Sequence, residues 1–398
     1  MQDAYIIAYG RAATGKGNPK GAYAHTRADD VAGQVLKGVI DRVEGDFDPA
    51  SIEDVIVGNS FPEGEQGQNI ARTIALLAGL PHTVPGQTVN RYCSSGLQTI
   101  ALAANSIMAG QAEVVAAGGV EFMSAVPMGG NEPTNNPTLQ KEDVGVSQPM
   151  GLTAENVAEK YKVSREDQDA FAVQSHQRAQ AAQDEGRLKD EIIPVEINKV
   201  TYTENGPKIT KEMFDQDEGI RPESSMETLA KLPTIFKADG TVTAASSSQI
   251  SDGAGFVILM SGDKVKELGI KPIARFVGFK AVGVDPKLMG IGPAYAIPEV
   301  LKLADLELKD MDLIELNEAF AAQALASVRE LNIDTDITNV NGGAISLGHP
   351  LGATGAILTA RLLNEMSRRP DSKYGLVSMC IGVGMGAAGI FEYLHNES

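Results

Sequence analysis

Two cysteines and no tryptophan are found in 398 residues, and positive charge is scarce: 34 Lys and Arg stand against 52 Asp and Glu. Two cysteines cannot build a disulfide framework. No CxxC or His/Cys cluster has metal-ligand spacing, so neither a metal nor a permanently bound cofactor is expected. A formal charge of −18 excludes broad binding to nucleic acid or anionic membrane, since both require a basic face. A local cluster of Arg, Lys and backbone N–H groups could still hold an anionic ligand. No run approaches 18 uninterrupted apolar residues; the stretch from Ile100 to Val120 is broken by Asn105, Gln111, Glu113 and several glycines, so no membrane insertion is expected. The opening MQDAYIIAYGR lacks the basic and apolar regions of a signal peptide, and the closing HNES is not a peroxisomal address. The expected location is the cytoplasm.

The length suggests two or more domains. Short apolar runs alternate with helix-like segments in two separated blocks, which reads as α/β layers. The first block holds AYIIAYG, a helix near Asp29 to Val43, DVIVGNS, TVNRYC with the helix after it, and AEVVAAGGVEF. The second holds KPIARFVGFKAVG, a helix near Ala294 to Ala304, DLIELNEAF, the run TNVNGG, the helix after GHPLGATG, and YGLVSMCIGVGMGAAGIFEY. The shared order suggests an internal duplication, with Cys93 of the first copy roughly where His349 sits in the second. Between the blocks, VPMGGNEPTNNPTLQ reads as a loop. The segment from Ser164 to Gly186 carries a capping-box signature, Ser164 with Asp167, and predicts an exposed amphipathic helix with His176 at the surface.

Three motifs carry chemistry. Cys93 precedes a helix whose apolar residues follow from Leu97 to Met108. A thiol there is either a packed core side chain or, beside unpaired N–H groups and the positive helix end, a nucleophile of lowered pKa. His349, between Gly348 and Pro350 in GGAISLGHPLGATGA, is the most constrained of five histidines and could take a thiol's proton. Cys380 ends an apolar strand and enters a glycine-rich run, where bare backbone N–H groups, Gly382 first, could face a developing oxyanion. Asn317 in ELNEAF closes a strand and could orient a water, although asparagine there is commonly a turn residue.

In order, NRYCSSGLQ, NEAF, GGAISLGHPLGATGA and CIGVGMG resemble the nucleophile, asparagine, histidine and second-cysteine blocks of the thiolase family. The resemblance extends through PMGLTAENVAEKY, DEGIRPESSMETLAKLPTIFKADGTVTA and MGIGPAYAIP, and it leans to the degradative 3-ketoacyl-CoA branch. It implies a thiolase fold: two similar halves, each a mixed five-stranded sheet with helices, in a five-layer α-β-α-β-α body. The implied boundaries are 1–120 with 246–271 for the first half, 121–245 for a loop domain over the coenzyme A site, and 272–398 for the second half.

The resemblance also implies roles. Cys93 is acylated, His349 activates it, Cys380 is the acid/base at the acetyl-CoA carbon, and Asn317 holds a water beside His349. The N–H groups of Cys93 and Gly382 form a second oxyanion hole. Arg221, Phe236, Ala244, Ser248, Phe320 and Met150 are the implied contacts of coenzyme A, a substrate. Expected partners are acyl-CoA and CoA, a second copy or three more of the chain, and a multifunctional β-oxidation enzyme. Two other readings stand beside this one. The first is a short-chain acetyl-CoA acetyltransferase; the second is a CoA- or lipid-binding relative without catalysis.

Overall fold

The structure is a computed structural model that describes residues 2–395. The chain begins β1 (Ala4–Arg11), β2 (Gly15–Lys16), α1 (Ala28–Ile40), β3 (Asp54–Gly58), α2 (Ile70–Leu77), β4 (Gly86–Val89), α3 (Ser95–Met108) and β5 (Val114–Phe122). A middle segment follows with α4 (Pro137–Glu142), α5 (Met150–Tyr161), α6 (Arg165–Asp184), the hairpin β6 (Val195–Thr203) and β7 (Gly206–Phe214), and α7 (Met226–Ala230). Next come β8 (Ser251–Ser261) and α8 (Gly262–Leu268). The second half runs β9 (Ala274–Gly283), α9 (Gly292–Ala304), β10 (Leu313–Leu316), α10 (Ala321–Leu331), α11 (Ala344–Leu347), α12 (Thr354–Met366), β11 (Tyr374–Ile381) and β12 (Met385–Tyr393).

The first half orders its strands β4-β3-β5-β8-β1, with β3 parallel to β4 and β5, and β8 antiparallel to both β5 and β1. The second half repeats this as Thr338-β10-β11-β12-β9, parallel and antiparallel at the same places. The duplication is therefore visible strand by strand. One expectation fails, because TNVNGG is not a strand: Thr338 only bridges Ile314. Asn339 turns left-handed there, at φ +47°. Its amide replaces the ladder, accepting from Leu316 N and donating to Leu316 O, each at 2.8 Å. The second sheet thus has four strands and a bridge rather than five strands. Pairs Tyr5 with Arg275 and Ile6 with Ala274 join the two sheets at their edges.

Alternation along the strands builds three cores, because successive side chains point to opposite faces. On β8, Phe256, Ile258 and Met260 face α1 and α2, whereas Val257 and Leu259 face α3 and α12. The opposite face of α3 and α12 meets Val377, Met379 and Phe391 of the second sheet, and Ile314, Leu376 and Ile390 pack outward on α9. The result is five layers, with α3 and α12 in the central one. Among the described residues, no helix is long and apolar enough to cross a membrane.

The middle segment departs from its sequence reading. The capping box on α6 is present: Asp167 N donates to Ser164 Oγ at 3.1 Å, and Ser164 N to the Asp167 carboxylate at 3.3 Å. The helix is exposed along one face only, with Glu166, Ala170, Gln174 and Gln177 outward and His176 on the buried side. Ala172 and Val173 pack against Ala321 and Ile345. His176 is buried, its Nδ1 accepting from Arg221 N at 3.1 Å. The surface reading of His176 failed because α6 lies between α10 and the rest of the segment, a placement its weak amphipathicity does not announce.

Candidate active site

Cys93 is the middle residue of a single turn, Tyr92–Ser94, that runs directly into α3. The turn is tight enough to hold Tyr92 at φ +45°. Its polar groups lock it: Arg91 N donates to Ser95 Oγ at 2.9 Å, that hydroxyl donates to Tyr92 O at 2.7 Å, and Tyr92 N donates to Asn90 Oδ1 at 2.8 Å.

His349 precedes the equivalent turn of the second half, Leu351–Ala353, which runs into α12. Cys93 therefore corresponds to Gly352, and His349 lies three residues earlier than a strict repeat would place it. Gly348 has φ +91°, and a Cβ there would collide with Ser251 Oγ. Only glycine lets the chain reverse so close to β8, where Ser251 Oγ accepts from His349 N at 3.2 Å. One assignment fits the hydrogen bonds: Thr354 Oγ1 donates to Pro350 O at 3.0 Å and accepts from His349 Nδ1, 2.6 Å away. That leaves Nε2 bare, as a base, receiving the Asn317 amide Nδ2 at 3.3 Å. The other amide atom, Asn317 Oδ1, is buried without a side-chain or backbone partner.

Cys380 lies near the end of β11, and β11 and β12 are joined by a turn that puts Val383 at φ +65°. A β-branched residue there is strained, and strain of this kind persists where the surroundings hold it. The N–H groups of Gly382 and of Cys93 itself point at the Cys93 sulfur.

Electrostatics decide between the two effects open at Cys93: burial outweighs the helix end and pushes the thiol up to about 11, the two N–H groups offsetting only part of it. Burial raises Cys380 further, with Cys93 adding to the effect. Burial also pulls His349 down to about 4. At neutral pH both thiols carry their protons and the imidazole is a neutral base.

A cavity of about 50 Å³ collects these groups: Cys93, His349 and Cys380 line it, as do Met150, Ser248 and Phe320. Phe236 stands behind, edge-on to Phe320 at 6.1 Å. Arg221 and Ala244 are exposed and do not line it. Sequence reasoning missed Met123, Met128 and Leu351 on the cavity wall, since an isolated methionine looks the same in a core or a pocket. It also missed Glu121, a buried carboxylate beside the site. Its signal was available: a lone charge in the otherwise apolar strand VVAAGGVEF. Among the described residues, no group of His, Cys, Asp and Glu is placed to hold a metal.

The family models described as thiolase, N-terminal domain, and thiolase, C-terminal domain, match residues 4–263 and 270–393. The chain belongs to the thiolase family. Among its relatives, the 3-ketoacyl-CoA thiolase of Bacillus subtilis is 52% identical over 393 residues, covering 98% of this chain and 100% of the relative. The peroxisomal 3-ketoacyl-CoA thiolase 5 of Arabidopsis thaliana is 47% identical over 395 residues, covering 98% and 85%. Two solved thiolase-fold structures resemble it. The acetyl-CoA acetyltransferase of Bacillus anthracis has TM-score 0.89 and 40% identity, covering 99% of each chain. Human mitochondrial 3-ketoacyl-CoA thiolase in complex with CoA has TM-score 0.88 and 40% identity, covering 99% of this chain and 98% of that one. The five-layer body is thus the thiolase fold.

Proposed function

We propose that this thiolase is a 3-ketoacyl-CoA thiolase, cleaving a 3-ketoacyl-CoA with CoA to acetyl-CoA and an acyl-CoA two carbons shorter. The observation that carries this reading is the convergence of two thiols and one bare imidazole nitrogen on a single buried cavity. Breaking the C2–C3 bond needs a nucleophile at C3 and a proton donor at the departing carbon, and one thiol cannot serve both. Cys93 gives its proton to His349 Nε2 and attacks C3. The bond breaks to leave a Cys93 thioester and the acetyl-CoA enolate, which takes the Cys380 proton. The proton held by His349 then restores Cys380. CoA acylates itself from the thioester and its own thiol proton, passed through His349, resets Cys93. The N–H groups of Cys93 and Gly382 serve the C3 oxyanion, and Asn317 holds a water beside His349 at the thioester oxygen of the acetyl-CoA unit. Acid–base help of this kind is worth about 10²–10⁴-fold and one oxyanion donor about 10²–10³-fold.

CoA lies against Met150, Ser248, Phe320 and Phe236, with Ala244 further along pantetheine and the exposed Arg221 at the nucleotide end. The loop domain is 121–245, set between halves 1–120 with 246–271 and 272–398. The protein works as a homodimer or homotetramer in the cytoplasm, with a multifunctional β-oxidation enzyme as partner.

One observation favours a second reading, a short-chain acetyl-CoA acetyltransferase: a cavity of about 50 Å³ holds only a small acyl group as it stands. The test is thiolysis of acetoacetyl-CoA and 3-ketohexadecanoyl-CoA side by side, with Cys93→Ala as control. Strong cleavage of the long substrate supports the first reading, and cleavage of acetoacetyl-CoA alone the second. CoA binding without turnover would leave a non-catalytic binder.

A further inference from the structure

The repeated topology pairs positions between the two halves. Gly58 pairs with Gly119 and Gly119 with Gly255; Leu316 pairs with Ser378 and Ser378 with Ala388. Gly119 therefore corresponds to Ser378 and, two residues on, Glu121 to Cys380. The turns before α3 and α12 make Gly352 the counterpart of Cys93. The reactive pair Cys93 and Cys380 thus has a second version in the same molecule, the pair Gly352 and Glu121. That version is joined by a hydrogen bond, Gly352 N donating to Glu121 Oε2 at 2.8 Å.

We infer that Glu121 is a positioning residue, whose buried carboxylate sets the His349–Gly352 turn of the second half against the Cys93 side of the first. The inference rests on the thiolase reading for its rate effects. Five N–H groups donate to the carboxylate. Oε2 accepts from Ser60 N at 2.7 Å and Gly352 N; Oε1 accepts from Gln66 Nε2 at 2.8 Å, and from Phe61 N and Asn59 Nδ2 at 3.3 Å each. Every one of these is a donor, which suits an acceptor-only carboxylate and offsets part of the burial that pushes Glu121 above the usual carboxylate range. Two glycines allow the approach: a Cβ on Gly119 would collide with Gly352 O, and a Cβ on Gly352 would lie 2.7 Å from both Asn59 Cα and Glu121 Oε2. The turn rests on the strand end backbone to backbone, with the carboxylate as the joint. Leu351, next along, packs on Cys93. Any movement of Gly352 is thus transmitted to the wall of the nucleophile and, three residues back, to the base. Burial is the main reason that the Cys93 thiol keeps its proton, and the negative charge of Glu121 adds to it in the same direction.

The test uses Glu121→Gln and Glu121→Asp in the full chain. Gln has the same shape, but its NH2 must face N–H donors on one side or the other. Both variants are expected to lose kcat for acetoacetyl-CoA thiolysis by roughly 10- to 100-fold, with KM changed less than threefold, as a misplacement near 1 Å would cause. The pH profile of Cys93 alkylation by iodoacetamide is expected to move to lower pH in Glu121→Gln and to stay put in Glu121→Asp. Lost stability alone would not divide the two variants in this way. A folded Glu121→Gln with wild-type kcat and alkylation profile overturns the inference; if that variant does not fold, Glu121→Asp with wild-type kcat does so. Were the wild type to cleave no 3-ketoacyl-CoA, the thiolase reading would fail, and an unmoved alkylation profile in Glu121→Gln would separately sink the placement of Glu121.

Discussion

Gly96 of α3 and Gly355 of α12 meet at the crossing of the two central helices, with no room for a methyl group on either. A Cβ on Gly96 would lie 2.8 Å from Ala356 N, and one on Gly355 would collide with Leu97 N. This crossing brings two turns 259 residues apart in number, those of Cys93 and Gly352, to one cavity. Gly355→Ala is therefore expected to push the helices apart and lower kcat by about 10²-fold, while circular dichroism still reports a folded chain. A kcat near wild type would show that the crossing does not set the distance between the turns.

The proton inventory at Cys93 and His349 leads to a second expectation. With the thiol pushed up to about 11, its thiolate fraction rises about tenfold per pH unit below that value. Iodoacetamide should thus alkylate Cys93 with a log-rate slope near one from pH 7 to 10. A plateau below pH 8 would mean an acidified thiol, and would return the helix end to the leading role it lacks in this geometry.

Separating the two thiols by chemistry is also possible. Acyl exchange between acetyl-CoA and free CoA uses the Cys93 thioester but breaks no carbon–carbon bond. Cys380→Ala should spare that exchange to within about tenfold and depress 3-ketoacyl-CoA cleavage by about 10²–10⁴-fold. Equal loss in both assays would assign Cys380 a part in acyl transfer itself.

Acid should weaken the fold through two buried histidines. His349 and His176 are each pulled down to about 4, so between pH 6.5 and 4 the unfolded chain binds protons that the native one does not. Stability is therefore intact above pH 6.5 and falls as pH drops through this window, by on the order of 3 kcal/mol for His349. Urea midpoints at pH 7.5 and 5.0 measure it, and His176→Gln should shrink the difference between them. No shrinkage would mean that the drop belongs to carboxylates.

Arg11 is wholly buried on β1, its Nε 2.7 Å from Glu191 and its terminal nitrogens 2.7 and 2.9 Å from Asp217. Arg11→Ala would strip both carboxylates of their main partner and is expected to cost about 3–5 kcal/mol in urea unfolding at pH 7.5. A loss below about 1 kcal/mol would show that the pair can rehydrate or take up protons.

Local chemistry was legible in the amino-acid order because local structure obeys short periods and caps. AYIIAYG became β1, the alanine-rich run after Cys93 became α3, and Ser164 with Asp167 capped α6. The rarity of cysteine and the constraint around His349 singled out residues that the fold then gathered in one cavity. Three matters depended on the tertiary structure. Whether TNVNGG pairs as a strand turned on the Asn339 amide, which takes the place of the ladder at Leu316. Whether His176 meets water turned on where α6 packs. Whether the helix end or burial governs Cys93 turned on how completely the two halves close over it. Each of these is a competition between a local preference and desolvation by residues distant in the chain. Glu121 is the clearest instance: its strand showed an unexpected charge, but only the fold showed five N–H groups converging on it from the Asn59–Phe61 loop, Gln66 and Gly352.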